Sequence, residues 1–559
     1  MRSHGQSTER RARAGACDVR RLATAIGLAL LLAGCAASSI ALAPESPQTP
    51  WHGDQPAALA DTPAVIPARP GAPPEAGPVP PAGRGPDFAL PPNPALPIGI
   101  ARPDIDPRHV HTLPELIDIA QMANPVTRGA WERAREAALT VGAARATYLP
   151  ILTADVIAGY QRATQAVPGL EVNSQTRPGI DVTSGGVATS LIVPGGTVTA
   201  QGREVIPSLT VKWLLFDFGR RDAVVESARQ LSTAANVSFN GTHQKLIFDV
   251  SRAFFALTAT RVQLRVGRDS AQAARLVHEA AKARLGRGIG TTIEVAQARQ
   301  QVAQADLALT QAEGQARDTY HSLLEAMGVS PTLTIQIQDI SGRPLPRVFP
   351  ADLNRLIEAS LQRRPDVQVA FARLAASRQG IARARADFMP QVALLGTANQ
   401  NISSLTVTDS RLRSSATVGV NSPNLSLLLG VSMPLYDGGL RDAQLKAAEA
   451  QAAASEQDLR QVENMAARQI VVAYDVLRTS LAAHAAATEL TSAAQTTSTA
   501  TLEYYRTGLG TLTDATIAQT ALFQARLARA KAHSDALVAA ATIAFATGTL
   551  TNRLSPSRL

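Results

Sequence analysis

The length, composition and charge of the chain exclude several classes of protein. Its 559 residues could hold three or four domains, but aromatic residues make up only 4%, which favours thin, closely packed helices over a thick globular core. Part of the formal charge of +9 comes from six arginines within residues 1–34, and no basic stretch is interleaved with aromatic residues, so nucleic-acid binding is not predicted. The two cysteines, Cys17 and Cys35, provide no disulfide framework and no thiolate metal cluster.

The first 34 residues have the pattern of a signal peptide. A mostly apolar run from Leu22 to Gly34 follows a pair of arginines and is too short to span a membrane as a helix. It ends in Leu32-Ala33-Gly34-Cys35, which resembles a bacterial lipoprotein box. We therefore expect a lipoprotein signal peptide at 1–34 and acylation of Cys35. Because Ala36 and not aspartate follows the cysteine, the expected anchor is to outer-membrane lipid. The alternative is an ordinary signal peptide followed by an incidental cysteine.

Residues 35–110 are rich in proline, which prevents a continuous helix or an inner strand. We expect this segment to be an extended, lipid-anchored tether that leads to a folded body. Near its end, His109 and His111 lie close in sequence to Asp104 and Asp106. These residue types can bind a metal ion. A solvated linker is the preferred interpretation, however, and no metal site is predicted.

A first structural unit is predicted at residues 111–330. It begins with helical sequence, and alternating apolar and polar residues then predict two strands of about ten residues in a β-hairpin at 151–217, with a loop at roughly 165–203. The proline-free stretch from Arg220 to Leu285 predicts a helix about 100 Å long at 1.5 Å per residue. Glycines at 286–290 mark the tip of a long helical hairpin, whose second helix runs from Thr291 to Met327.

The chain then repeats this unit. Asn124-Pro125 and Tyr148-Leu149-Pro150 reappear 240 positions later as Arg364-Pro365 and Phe388-Met389-Pro390. From Phe216-Asp217-Phe218-Gly219 onward the offset is 220. We predict a tandem duplication: a connector at 331–350, a second repeat at 351–550 with a β-hairpin at 391–437 and a helical tip at 506–510, and a C-terminal tail at 551–559.

The number of predicted strands limits the possible architectures. Strands with one apolar and one polar or small face match those of membrane β-barrels, although a soluble sandwich gives a similar pattern. Four strands per chain cannot close a barrel, because the smallest membrane barrels have eight. An oligomer has to supply the remaining strands.

The repeated motifs, in this order, resemble the TolC family of outer-membrane efflux proteins over residues 110–550. The resemblance rests on Phe216-Asp217-Phe218-Gly219, on Tyr436-Asp437-Gly438-Gly439 and on Tyr505-Arg506-Thr507-Gly508. It implies a mainly α fold with transmembrane β-strands, in which a homotrimer forms a 12-stranded β-barrel continued by a long α-helical barrel across the periplasm. It also implies that the duct docks onto a periplasmic adaptor and an inner-membrane pump.

No catalytic site and no cofactor are predicted. The chain has no P-loop, and its Gly-x-Gly sequences follow helices instead of strands, which excludes the dinucleotide-binding pattern. We expect a passive exit duct of a tripartite efflux or secretion system. The alternative is a structural or adhesive trimeric coiled-coil lipoprotein without a conducting lumen.

The helical tips are the predicted functional sites. Glu294 and Asp514 occupy equivalent positions, six residues after Gly288 and Gly508, and the resemblance implies that an acidic residue at Glu294 pairs with Tyr505 to close the periplasmic entrance. Alternatively, both acids simply favour a helix N-terminus. The residues expected to dock the adaptor are Gly286, Arg287, Gly288, Ile289, Gly290, Arg506, Gly508, Leu509 and Gly510. Compared with other members, this chain has Gly510 in place of a tip arginine and Ile517 in place of a second ring aspartate, which suggests a less firmly closed gate.

Overall fold

The protein is described here from a computed structural model. The described residues are Ser46, 93–96, 99, 102–103, 105–168, 170–172, 191–193, 195–346, 352–410 and 414–550. The predicted signal peptide, Cys35, most of the tether and the tail at 551–559 lie outside them.

The described residues fold mostly into helices, and their strands form one four-stranded and two two-stranded sheets. The first half contains β1 (Val110–His111), α1 (Leu113–Ala123), α2 (Pro125–Ala146), β2 (Ile151–Val167), β3 (Leu170–Val172), β4 (Leu191–Val193), β5 (Gly196–Phe216), α3 (Arg220–Gly286) and α4 (Thr292–Met327). The second half contains β6 (Gln336–Ile337), α5 (Leu353–Leu361), α6 (Pro365–Ala386), β7 (Gln391–Asp409), β8 (Ser414–Ser432), α7 (Leu440–Thr507) and α8 (Leu512–Ala546).

The longest helices match the sequence expectation. Helix α3 has 67 residues and α7 has 68, and neither contains a proline. Each is followed by a glycine-containing tip and then by a shorter helix, α4 after α3 and α8 after α7. Among the described residues, no helix combines the length and the apolar character that a membrane crossing needs.

The chain divides into two compact units. The described residues of the first unit fall within 1–142, 228–376 and 453–559, and those of the second fall within 143–227 and 377–452. The main core of the first unit is built from α1, the middle of α3, the end of α4 and the end of α8. Its largest fully buried side chains are Phe254, Leu116, Ile117, Leu257, Leu323, Leu324 and Met327. Elsewhere in this unit alanines such as Ala134 and Ala138 pack on Phe239, as expected for closely spaced helices.

The second unit contains a four-stranded antiparallel sheet in the order β2-β5-β7-β8. The hairpins predicted at 151–217 and 391–437 therefore pair through their central strands. Strands β2 and β8 are the two edges, and neither has a second partner among the described residues.

The strands are longer than the sequence suggested. We expected about ten residues each and a loop at 165–203, whereas β2 has 17 residues, β5 has 21, and both β7 and β8 have 19. The expectation failed because the outer parts of β2 and β5 are polar and have no apolar face to reveal them. Their threonines nevertheless favour extended backbone, and the ladder continues through Thr164↔Thr199 to Val167↔Gly196.

The predicted connector contains one short strand among the described residues. Only Gln336–Ile337 pairs, in parallel with β1. The N–H of Gln338 additionally donates to the carbonyl of His111 at 3.0 Å. This pairing ties the segment that enters the folded body to the connector.

Candidate functional site at the helical tips

One group of repeated motifs forms structural joints where strands end and long helices begin. Asp217 accepts a hydrogen bond from Nε of Arg221 at 3.0 Å, and Asp437 accepts the equivalent bond from Arg441 at 2.6 Å. Each guanidinium also lies over an aromatic ring from the paired proline motif, Arg221 over Tyr148 and Arg441 over Phe388. The two copies therefore build the same ion pair and cation–π contact at the same place.

Hydrogen bonds from the two arginines hold each strand end to the helix that follows it. Arg221 is buried and donates to the carbonyls of Leu214 and Leu215 at 2.6 and 3.1 Å, so the end of β5 is fastened to the start of α3. In the second copy, the bond from Arg441 is the main cause of a lowered pKa for Asp437. The repeated sequences Asp217-Phe218-Gly219 and Asp437-Gly438-Gly439 are thus explained by the way each strand is joined to the following helix.

A second group of repeated motifs joins helix ends. Asn124 Nδ2 donates to the carbonyl of Ala326 at 3.2 Å, and Arg364 Nη1 donates to the carbonyl of Ala546 at 2.9 Å. The two donors are 240 positions apart and the two acceptors 220, as the repeat requires. Arg364 is buried and also makes a two-pronged contact with Asp366, with nitrogen–oxygen distances of 3.0 and 2.7 Å. Both side chains satisfy carbonyls that a helix C-terminus leaves without intrahelical partners.

The repeated glycines at the tips shape two tight turns. Gly288 and Gly508 have φ of 74° and 85°, a region that non-glycine residues rarely adopt. A Cβ on Gly290 would lie 2.9 Å from the nitrogen of Leu285, and one on Gly510 would lie 3.1 Å from Cβ of Tyr504. These glycines are therefore required by the turns themselves.

Glu294 and Asp514 both act in helix caps. The backbone N–H of Glu294 donates to Thr291 Oγ1 at 3.2 Å, and the Glu294 carboxylate accepts the N–H of Thr291 at 3.2 Å. Thr511 and Asp514 form the same capping box in the second copy, with a further bond of 2.7 Å from the Thr511 hydroxyl. Both carboxylates thus stabilise the starts of α4 and α8. An additional role at the entrance stays a prediction.

Tyr505 is the most buried large side chain near the tips. It is fully buried and packs with residues from α3, α4 and α8: Val277, Ala281, Ala298, Leu512 and Ala515. Within the described part of the chain its hydroxyl has no hydrogen-bond partner, so the expected bond to Glu294 is not formed. Burial is the main cause of a raised pKa for Tyr505; the Glu294 carboxylate raises this pKa further, while Arg284 lowers it.

Arg284 was not predicted, yet it links the two tips. Its Nη1 donates to the carbonyl of Tyr505 at 3.2 Å, its Nη2 donates to the carbonyl of Ile289 at 3.4 Å, and the guanidinium carbon lies 5.1 Å from the centre of the Tyr505 ring. In the sequence it is only a basic residue in the last turn of a helix, which is common. The equivalent position in the second copy is Tyr504, so the repeat gives no signal either.

The tips also expose apolar side chains at equivalent positions. Ile289 is 61% exposed and Leu509 is 81% exposed, each directly after the left-handed glycine of its turn. Gly286, Arg287 and Arg506 are exposed around them, and Arg506 contacts Glu503 at 3.8 Å. Ile517, on α8, is also exposed. The geometry therefore offers a surface with apolar centres and a basic border.

The sequence suggested that His109 and His111 lie in a solvated linker, and the structure shows that this was wrong. His111 is buried and belongs to β1, and His109 contacts Glu115 of α1. The sequence did not reveal this arrangement, because His111 is buried by the pairing of β1 with β6, and β6 is far away in sequence. Of the two nearby aspartates, Asp104 lies outside the described residues, and Asp106 caps the N–H of Arg108 at 2.8 Å.

Comparison with known proteins gives consistent matches. The family model described as outer membrane efflux protein matches residues 116–329 and 356–549, two ranges whose starts differ by 240 positions and whose ends differ by 220. Protein CyaE of Bordetella pertussis is 26% identical over 373 residues, which cover 66% of this chain and 70% of the relative. The probable outer membrane lipoprotein SilC of Salmonella typhimurium is 25% identical over 48% of this chain and 55% of its own length.

The fold is also similar to that of solved structures. The outer membrane protein VceC from Vibrio cholerae superposes with a TM-score of 0.60 at 19% identity, over 78% of this chain and 96% of VceC. This likeness concerns the fold alone. The resemblance expected from the repeated motifs is confirmed by the family match, which covers both copies. The chain belongs to the outer membrane efflux protein family.

Proposed function

We propose that the chain forms one third of a passive outer-membrane exit duct. The observation that carries this proposal is the four-stranded sheet with two edges that have no second partner among the described residues. Exposed strand edges promote pairing with another chain, and closure into a barrel removes them. Sister subunits are therefore the natural partners of β2 and β8.

The exposed faces of the strands support the same arrangement. Alternate residues of β8 are large, apolar and highly exposed: Leu425 at 83%, together with Leu427, Leu429 and Val431. Membrane β-barrels place an apolar face toward lipid in this pattern. Because four strands are too few to close, three chains with twelve strands are the assembly that the family resemblance suggests.

The helical part supports a periplasmic extension that ends in a docking surface. A helix of 67 residues has a length of about 100 Å at 1.5 Å per residue. In this proposal three chains form a helical barrel around a water-filled lumen, and the tips receive a periplasmic adaptor. An inner-membrane pump delivers the cargo and selects it, so the duct itself needs no cofactor.

The proposal is tested by assembly state and conductance. Purified full-length protein in detergent should be a trimer by native mass spectrometry and should produce discrete current steps in planar lipid bilayers. A trimeric stalk without a lumen would stay silent, even after Tyr505→Ala loosens the tips. A monomer, or a silent trimer of that variant, would contradict the duct.

Lipid anchoring is a further part of the proposal. It rests on Leu32-Ala33-Gly34-Cys35 and on the single cysteine that remains after signal removal. SilC, with 25% identity, is named a probable outer membrane lipoprotein. Cys35→Ala should leave the chain without acyl groups, because the only other thiol, Cys17, lies within the predicted signal peptide and outside the lipoprotein box.

Mass spectrometry of the mature N-terminus checks this expectation. The wild-type chain should begin at an acylated Cys35, and Cys35→Ala should lack that mass and leave the outer-membrane fraction. Cys17→Ala is a matched control that removes the other thiol within the predicted signal peptide. An unmodified Cys35 in the wild type would refute the anchor.

A further inference from the structure

Three side chains with metal-ligand chemistry meet where the folded body begins. His109 Nε2 lies 3.2 Å from Glu115 Oε2, and His111 Nδ1 lies 3.9 Å from the same oxygen. One ligand atom from each of the three residues lies within 4.8 Å of the others. The two rings approach edge to face, with centroids 4.7 Å apart.

His111 is held in this cluster without adequate polar partners. The residue is only 7% exposed, and its Nε2 has no hydrogen-bond partner among the described residues. The 3.9 Å separation between its Nδ1 and Glu115 is too long for a hydrogen bond. Burying a polar ring without partners is costly. A cation bound to Nδ1, the nitrogen that lies 3.9 Å from Glu115 Oε2, would compensate for part of this cost, and Nε2 would still need a partner such as water.

The distances suit a small tetrahedral ion. Zinc–nitrogen and zinc–oxygen bonds of about 2.0–2.1 Å place neighbouring ligands about 3.4 Å apart. The observed separations of 3.2 and 3.9 Å require only small side-chain movements to reach this value. Two imidazoles with one carboxylate favour zinc or a similar transition metal over Ca²⁺ or Mg²⁺, which prefer oxygen ligands.

The surroundings orient the carboxylate and leave room for water. Glu115 Oε2 accepts the backbone N–H of Thr112 at 2.8 Å, which fixes the carboxylate within the capping box of α1. Such outer contacts to ligands strengthen metal binding. A cavity of about 480 Å³ adjoins the cluster and is lined by both histidines, Asp106 and Met122, so a water molecule has space to complete the coordination.

We propose that His109, His111 and Glu115 bind one divalent transition-metal ion, for which Zn²⁺ is the best match. The ion joins β1 to the first turn of α1, and β1 pairs with β6 of the connector. It therefore fastens the entering segment to the folded body. The site is independent of the proposed conducting function.

Zinc titration of the full-length protein tests the proposal. Protein purified without a histidine tag and freed of metal with a chelator should bind one Zn²⁺ per chain, measured by elemental analysis and calorimetry. His109→Ala should raise the apparent Kd at least about tenfold, as expected from effects of even outer-shell changes. Because His109 is exposed, this variant should keep the metal-free unfolding temperature of the wild type.

A second histidine pair provides the control. His484 and His533 have ring centroids 5.4 Å apart but do not belong to a three-ligand cluster among the described residues. His484→Ala with His533→Ala should leave zinc binding unchanged. Wild-type protein that binds no Zn²⁺, or His109→Ala and His111→Ala variants that bind it as the wild type does, would overturn the proposal.

Discussion

Tyr505→Ala is expected to increase the conductance of reconstituted trimers severalfold, whereas Tyr505→Phe should remain close to wild type. The Tyr505 ring fills the core between the two tips, and removing a buried aromatic side chain costs about 3–5 kcal/mol. Its hydroxyl, by contrast, has no hydrogen-bond partner within the described chain, so its removal takes away no bond that the fold shows. Single-channel recordings in planar bilayers measure the difference.

The same recordings test the link made by Arg284. Arg284→Met keeps much of the side-chain volume but removes the bonds to the carbonyls of Tyr505 and Ile289, so the tips should separate more readily and conductance should rise. Arg287→Met makes the same charge change at an exposed tip position and serves as control.

The Tyr505 prediction has its own contradicting outcome. If Tyr505→Phe increases the conductance as much as Tyr505→Ala does, the hydroxyl holds the tips closed and the packing argument is wrong.

The sequence predicted the helical rods well because their periodicity is local. The uninterrupted pattern after Arg220 and the glycines at 286–290 placed α3 and its tip to within a residue. The repeat also identified the positions that matter for the joints, although their roles needed coordinates. That Arg364 in the second copy performs the task of Asn124 in the first could not be read from two side chains of different chemistry.

Non-local features were the ones that the sequence concealed. The outer halves of β2 and β5 have no apolar face, so only their pairing reveals them. His111 is buried because β1 pairs with a connector more than 200 residues away. Arg284 contacts a carbonyl of the other repeat, and the sequence holds no trace of a bond to backbone. In each case the partner, and not the residue type, determines the role.

Replacing Ile289 and Leu509 together by serine is expected to weaken adaptor binding more than tenfold. Both side chains are large and exposed at the apex of their turns, and burying a side chain of this size in an interface contributes about 1.5–3 kcal/mol. Since about 1.4 kcal/mol corresponds to a tenfold change in affinity, the loss of two such contacts exceeds that factor. Co-purification with the adaptor of its own system measures the effect.

The structure supplies a matched control for this prediction. Leu307 on α4 and Leu490 on α7 are also large and exposed but lie away from the tips, so Leu307→Ser with Leu490→Ser changes the same chemistry elsewhere. Serine at 289 and 509 leaves Gly288 and Gly508 in place, so both turns, trimer assembly and conductance should persist. Equal loss of adaptor in the control pair would show that surface hydrophobicity in general, and not the tips, retains the partner. Undiminished adaptor binding by the tip variant would exclude Ile289 and Leu509 from the interface.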